Sequence, residues 1–235
     1  MQLTAPQIDQ LYTFTQQHYV EYYDLQTELV DHLANAIEAK MQEQPSRTFD
    51  ESLQTEFKKF GVFGFMEIVE ERKAALHKKY NGLVWQHFKD FFSFPKVLLT
   101  VLLILAVFTL FKITNHKEIV LFSIFVALIC FSIYKMIQSR RQQQKSRKQS
   151  SKKWLFEEII NQYGNFSATV FVPFNVIAQV NNHIQNVFTN DYYIWGLSII
   201  VVLSSFFVFI IFNIIPSKTE KYLIATYPEY KILSV

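Results

Sequence analysis

The chain has 235 residues, half of them hydrophobic, with 24 Phe, five Gly, a single cysteine and a net charge of +3. That length holds one soluble domain plus a few membrane spans, and the lone Cys130 excludes an intramolecular disulfide and any cysteine-based zinc cluster. The charge is split: residues 1–94 carry 9 Lys and Arg against 14 Asp and Glu, a balance of −5, whereas residues 95–235 carry 14 against 6, a balance of +8. An acidic front half is repelled by nucleic acid, so the overall pI of about 8.8 gives no nucleic-acid role. None of the five glycines sits in a phosphate-cradling arrangement, which excludes Rossmann and Walker A chemistry.

Residues 1–82 read as an acidic head of four helices. Pro6 suits a first helical turn, and Ile8, Leu11, Tyr12, Thr15, Tyr19 and Tyr22 recur at helical spacing. Asp24 is placed to cap a second helix with Leu25, Leu29, Val30, Leu33, Ile37 and Met41 on one stripe, broken at Gln44-Pro45-Ser46. Thr48 and Glu51 fit a capping box for a third helix carrying Phe49, Leu53, Phe57 and Phe60, with Gly61 as its C-terminal cap. The fourth holds Phe65, Ile68, Val69, Ala75 and Leu76 and is expected to end around Tyr80-Asn81-Gly82. Stripes this short are unstable alone in water, so the four helices bury one another. The N-terminus has no signal-peptide pattern, which keeps the head in the compartment where it is made.

The segments ELVDHLANAIE (28–38) and FKKFGVFGFMEIV (57–69) resemble the HAAS signalling domain. That family is a short all-helical cytosolic module found ahead of membrane segments in bacterial proteins, often encoded beside PadR-type regulators. Gly61-Val62-Phe63-Gly64 stands where the family has a Gly-Asp-Pro-like turn. The resemblance covers roughly residues 5–75 and implies a bacterial inner-membrane protein with a regulatory or adaptor head.

Residues 83–94 are amphipathic and aromatic, with Trp85, Phe88, Phe91, Phe92 and Phe94, and suit the headgroup boundary or a continuing helix. Hydrophobic runs then follow at 97–111, 119–134, 166–180 and 194–215. The first two are short, but Lys96, Lys112, Lys117 and Lys135 can snorkel, and residues 95–138 form a hairpin of two spans. The third run holds Pro173, Asn175 and Gln179. Two unpaired amides at about 2 kcal/mol each cancel its apolar gain of about 4 kcal/mol, so it enters lipid only with partners. With the fourth run it makes a second membrane pair over 154–216, followed by a tail at 217–235. The expected architecture is an all-α membrane protein, a cytosolic four-helix domain followed by four transmembrane helices; three spans with an external tail is the alternative.

Orientation comes from residues 139–153, read as a basic cytoplasmic loop. Lys135, Arg140, Arg141, Lys145, Arg147, Lys148, Lys152 and Lys153 crowd this region with no acid among them. The positive-inside rule then places head, loop and tail in the cytoplasm of a bacterial inner membrane. The same cluster has two further readings, a patch for anionic membrane lipids and a latch attracted to the acidic head. Trp85, Trp154 and Trp195 are expected as interface anchors.

Three groups of residues are candidates for a site. His18, Glu28 and His32 put imidazoles and a carboxylate on helix faces, readable as a divalent-metal or proton-sensing site or as a solvated face with an i,i+4 pair. The second reading is carried forward, with no metal and no cofactor. Ser123, Ala127 and Cys130 form a small-residue face for helix packing, and Asn175 and Gln179 are interhelical hydrogen-bonding groups. No nucleophile–base pair is present, and no ionisable residue sits near mid-membrane, which argues against an enzyme and a coupled pump. The function expected is a non-enzymatic membrane protein whose head binds a protein partner and relays envelope state. The alternative is a small transport or channel component, or an accessory subunit of a membrane complex, with a path near Pro173, Asn175 and Gln179. Oligomeric state is left open.

Overall fold

The computed structural model describes residues 2–149, 152–163, 188 and 190–233. Every element among the described residues is helical, and they form two packed units: Met1–Lys78 with Arg147–Ile159 and Tyr227–Val235, and Lys79–Ser146 with Ile160–Thr226.

In the first unit, α1 (Ala5–Gln17) opens with Pro6 in its first turn and the Gln7 side chain accepting the Thr4 N–H at 2.8 Å. It buries Leu11 and Thr15 and stops at Gln17, so Tyr19 and Tyr22 lie past its end and not on its stripe. The cause is the turn that follows. Tyr19 takes a left-handed φ of 65° and stays exposed, and this swings Val20 inward, where its carbonyl accepts from Gln26 Nε2 at 2.6 Å. Helix α2 (Tyr23–Glu43) buries Leu25, Leu29, Val30, Leu33 and Ile37 as one stripe and ends ahead of Pro45. Its N-cap is Tyr22; Asp24 sits inside the first turn and is buried, because its carboxylate is engaged elsewhere.

Helix α3 (Phe49–Phe57) is closed by the capping box: Thr48 Oγ1 accepts from Glu51 N at 3.3 Å, and Glu51 Oε2 accepts from Thr48 N at 3.0 Å. A 3-10 turn, Lys58–Phe60, leads to Gly61 at φ 74° and Gly64 at φ 54°, conformations that L side chains rarely adopt. A Cβ on Gly64 would also stand 3.0 Å from Phe57 Cζ. An aromatic cluster of Phe14, Phe57, Phe60 and Phe65 packs edge to face across α1, α3 and the start of α4.

Helix α4 (Met66–Asp90) runs past the expected stop at Tyr80-Asn81-Gly82, and the boundary between the units falls within it. A mid-helix glycine costs about 1 kcal/mol. Burial of Tyr80, Val84 and Phe88 offsets that, so the stretch read as a linker is helical through Asp90.

The second unit contains three helices long and apolar enough to cross a membrane, the mark of a membrane protein: α5 (Lys96–Ile113), the stretch Lys117–Gln142 of α6 (Lys117–Gln149), and Asp191–Ser217. The last comprises α8 (Asp191–Phe209), a π turn at Ile210–Ile214 and a final turn Ile215–Ser217. Pro216 has no N–H to give the preceding turn, and widening to a π turn is how the backbone adapts. In α5 and α6 only 11% and 17% of the apolar window is covered by the chain, against 50% for Asp191–Ser217. The first two therefore present greasy faces outward, and the third is the packed one.

Phe111, Leu121, Phe125, Phe188, Ile194, Leu197 and Val201 form the buried core of this unit. Lys112 pairs with Asp191, and Lys117 Nζ donates to the Phe188 carbonyl at 3.0 Å. The expected third span at 166–180 lies outside the described residues.

Helix α6 continues to Gln149, so the basic segment is helical over most of its length and not a loop. Gln, Lys and Arg are good helix formers, and no Gly or Pro interrupts them. Beyond it, α7 (Leu155–Tyr163) belongs to the first unit as far as Ile159, which corrects its assignment to a membrane pair beginning at 154. Helices α9 (Thr219–Thr226) and α10 (Tyr230–Leu233) complete the chain, and Tyr227 between them is part of the first unit.

Candidate functional site

The first unit is fastened by segments distant in sequence that meet at the start of α2. The N–H of Tyr23, the first residue of α2, donates to the Lys153 carbonyl at 2.8 Å. In return, Leu155 N, the first of α7, donates to Asp24 Oδ1 at 3.1 Å. Each helix start leaves backbone N–H groups without an internal partner, and here each segment supplies the other's acceptor. Trp154 fills the space between them, 4% exposed, with ring centroids 5.5 Å from Tyr23, 5.2 Å from Tyr227 and 5.1 Å from Tyr230. At the rim, Lys153 Nζ bonds Glu21 at 2.9 Å, and Lys152 lies 4.0 Å over the Tyr23 ring. This clasp joins α2 to the stretch after α6 and to the stretch after α9.

Its interior is polar and tight. Asp24 is 7% exposed, and its Oδ2, the Tyr227 hydroxyl and Arg72 Nε are buried without a hydrogen bond among the described residues. Burial pushes the Asp24 carboxyl above its ordinary range, against the Tyr227 hydroxyl and the N–H of Leu155, which favour the charged form. Burial, and then the neighbouring Asp24, push the Tyr227 phenol far up, while Arg72 opposes them. A carboxyl raised on folding stabilises the folded state below its ordinary pKa, and that contribution is lost as pH rises through the raised value. Asp24→Asn keeps an acceptor for Leu155 and removes the titration. Thermal unfolding of the full chain in detergent should therefore lose stability from acid to neutral pH in the wild type and show a flatter profile in Asp24→Asn. Superimposable profiles would exclude Asp24 as the titrating group.

On another face of the same unit lies a groove of about 360 Å³ lined by Leu29, Leu33, Ala36, Phe60 and Ile68, with Glu28, His32, Glu56 and Lys59 at its edge. Glu56 is internally satisfied, accepting from Lys40 at 2.8 Å and Lys59 at 2.6 Å. These bonds outweigh the opposing effect of burial and hold its carboxyl below the usual range. Glu28 is half exposed and has a loose contact with Arg72 Nη2 at 3.8 Å. The floor is apolar, and the adjustable charge at the rim is Glu28.

The structure brings Glu28 and His32 together at this groove, but places His18 elsewhere, its Nδ1 2.8 Å from the Phe14 carbonyl and its ring against Phe14 and Phe57. Among the described residues no set of three His, Cys, Asp or Glu could hold a metal ion. Of the basic cluster, Lys135 lies 6.0 Å from the Phe131 ring, Arg140 and Arg141 are exposed on α6, and Lys152 and Lys153 are in the clasp. The side chains of Lys145, Arg147 and Lys148 lie outside the described residues, as do Asn175 and Gln179. Ser123, Ala127 and Cys130 are exposed on α6. Trp85 is exposed and stacks on Phe88, and Trp195 stacks on Phe108. Trp154, expected as an interface anchor, is instead the centre of the clasp.

Sequence reasoning missed Asp24, Arg72 and Tyr227 as a group. One local signal pointed that way: Trp154-Leu155-Phe156 is an apolar triplet directly after a run of cations, followed by Glu157 and Glu158 in the first turn of a helix. Such a triplet needs a surface to cover it. Family models, curated proteins and solved structures were compared with the chain, and none matches it.

Proposed function

We propose that this is a non-enzymatic membrane protein whose acidic helical head docks a partner protein and couples that docking to the membrane helices. The observation that carries the reading is the clasp: Trp154, downstream of α6, and Tyr227, downstream of Asp191–Ser217, both pack on the start of α2. A head held by segments that follow two spans is suited to sensing what those spans do. The groove at Glu28 and His32 is the docking surface in this reading. Its apolar floor with an acidic rim fits an amphipathic helix that presents aliphatic side chains and a cation.

The wider assignment belongs to the same proposal. The head is a four-helix, HAAS-like adaptor module, and residues 166–180 make a fourth span. Head and tail lie in the cytoplasm of a bacterial inner membrane, with the cations of α6 against anionic lipids. The excess of Lys and Arg over 135–153 supports this orientation.

The test uses the full chain in cells, with a photo-crosslinking residue at Ala36 in the groove or at exposed Gln54 outside it. A discrete protein adduct from Ala36, absent from Gln54 and lost on Glu28→Lys, is the expected result. Equal adducts from both positions, or none from Ala36, would remove the groove from the reading.

A further inference from the structure

In the first unit an apolar tip adjoins the groove. Just beyond Phe60, which lines the groove, Val62 and Phe63 stand 98% and 73% exposed, and Met66, one turn on, is 54% exposed. The backbone holds them there. Gly61 and Gly64 take φ of 74° and 54° on either side of the pair, and the Met66 N–H donates to the Phe63 carbonyl at 3.2 Å where α4 begins. Adjacent large apolar side chains fixed in water, beside an apolar groove, mark a surface that another molecule covers.

The two features carry opposite charge. Lys59 is engaged by Glu56 at 2.6 Å, whereas Lys58, in the turn leading to the tip, is exposed. At the groove's edge the half-exposed acid is Glu28. The tip therefore presents what the groove takes, an aromatic and an aliphatic side chain with a cation beside them. It does not serve its own groove, because the turn that fixes Val62 and Phe63 in solvent holds them out of it.

Resting on the docking role given to the groove, we propose that its partner is a second copy of this chain, whose Val62–Phe63 tip enters the groove while its own groove receives a tip in return. A knob and a hole side by side on one surface are what a two-fold, self-complementary interface requires. Phe63 is the anchor, an aromatic side chain entering an apolar pocket. Lys58 of one copy faces Glu28 of the other and sets the register. The exchange is closed, so two heads pair and do not extend into a filament.

The test traps the exchange between two marked chains. Full-length chains carrying Cys130→Ser are co-expressed, one with Val62→Cys and a first epitope tag, the other with Ala36→Cys and a second tag, and their membranes are treated with a mild oxidant. A disulfide-linked species bearing both tags is expected, and Gln54→Cys in place of Ala36→Cys should give little of it. Phe63→Ser in the Val62→Cys chain alters a surface position that the fold does not need, and should lower the yield about tenfold or more, the effect of one aromatic side chain left unburied. Lys58→Glu in that chain should lower it about threefold, and Glu28→Lys in the Ala36→Cys chain should restore it. Absence of the two-tagged species, or a yield that Phe63→Ser leaves unchanged, would overturn the proposal. So would a photo-crosslinking residue at Val62 that captures lipid in place of protein, since the tip would then belong to the bilayer. An Ala36 photo-adduct with a different protein, without the two-tagged species, would sink the second copy and keep the docking role. Neither adduct nor two-tagged species would sink both.

Discussion

Trp154→Ala should remove about 3–5 kcal/mol from the stability of the first unit, the usual cost of truncating a buried large aromatic to alanine. Trp154 is 4% exposed and contacts Tyr23, Tyr227 and Tyr230, so its removal leaves a cavity bordered by three segments that do not otherwise pack as neighbours in sequence. Aromatic pairs of this kind add about 0.5–1.5 kcal/mol beyond the area they bury. Domains of this class have only about 5–15 kcal/mol in hand, so the clasp should be largely open in the variant. The measurement is thermal or denaturant unfolding of the full chain in detergent, with Trp85→Ala as the reference. Trp85 is 53% exposed, and its loss should cost far less. Equal midpoints for the two variants would show that Trp154 does not hold the unit together.

The second large effect is Leu33→Asp, which should unfold the first unit outright. Leu33 is 1% exposed at the centre of the α2 stripe and also floors the groove. Losing its apolar burial costs about 2–5 kcal/mol, and an unpaired buried carboxylate adds several more. Together these match or exceed the whole stability of a small domain. Limited proteolysis of the detergent-solubilised chain should then cut within residues 1–78 while the membrane helices stay protected. Leu33→Ala, which leaves no charge, should cut more slowly. A Leu33→Asp chain as resistant as the wild type would mean that this position is not the core that its burial indicates.

The legible parts of this fold were those written in local patterns. The α2 stripe of Leu25, Leu29, Val30, Leu33 and Ile37, the Thr48–Glu51 capping box and three greasy helices all follow from spacing within a few turns. Local reading failed where two choices are locally equal. Asp is as good in a first turn as at an N-cap, so nothing near Asp24 reveals that its carboxylate is drawn away by Leu155. Gly82 looks like a helix end until the burial of Val84 and Phe88 is known. Basic residues without Gly or Pro read as loop from charge and as helix from propensity, and helix is what α6 adopts. For the site, the shared face of Glu28 and His32 is legible because four residues is about one helical turn, while a role for that face is not. The clasp is not legible at all, since 131 positions separate Asp24 from Leu155 and no periodicity reaches that far.

That separation sets a timetable for making the protein. Translation proceeds at about 5–20 residues per second, so the start of α2 leaves the ribosome roughly 7–26 s before the 131-residue gap to its capping partner is closed. During that interval the first two of the three membrane-crossing candidates are made and the third, Asp191–Ser217, has yet to be, and the Tyr23 amide and the Asp24 carboxylate are still without Lys153 and Leu155. The first unit can therefore close on Leu155 only after α5 and α6 have been made, and on Tyr227 and Tyr230 only after Asp191–Ser217.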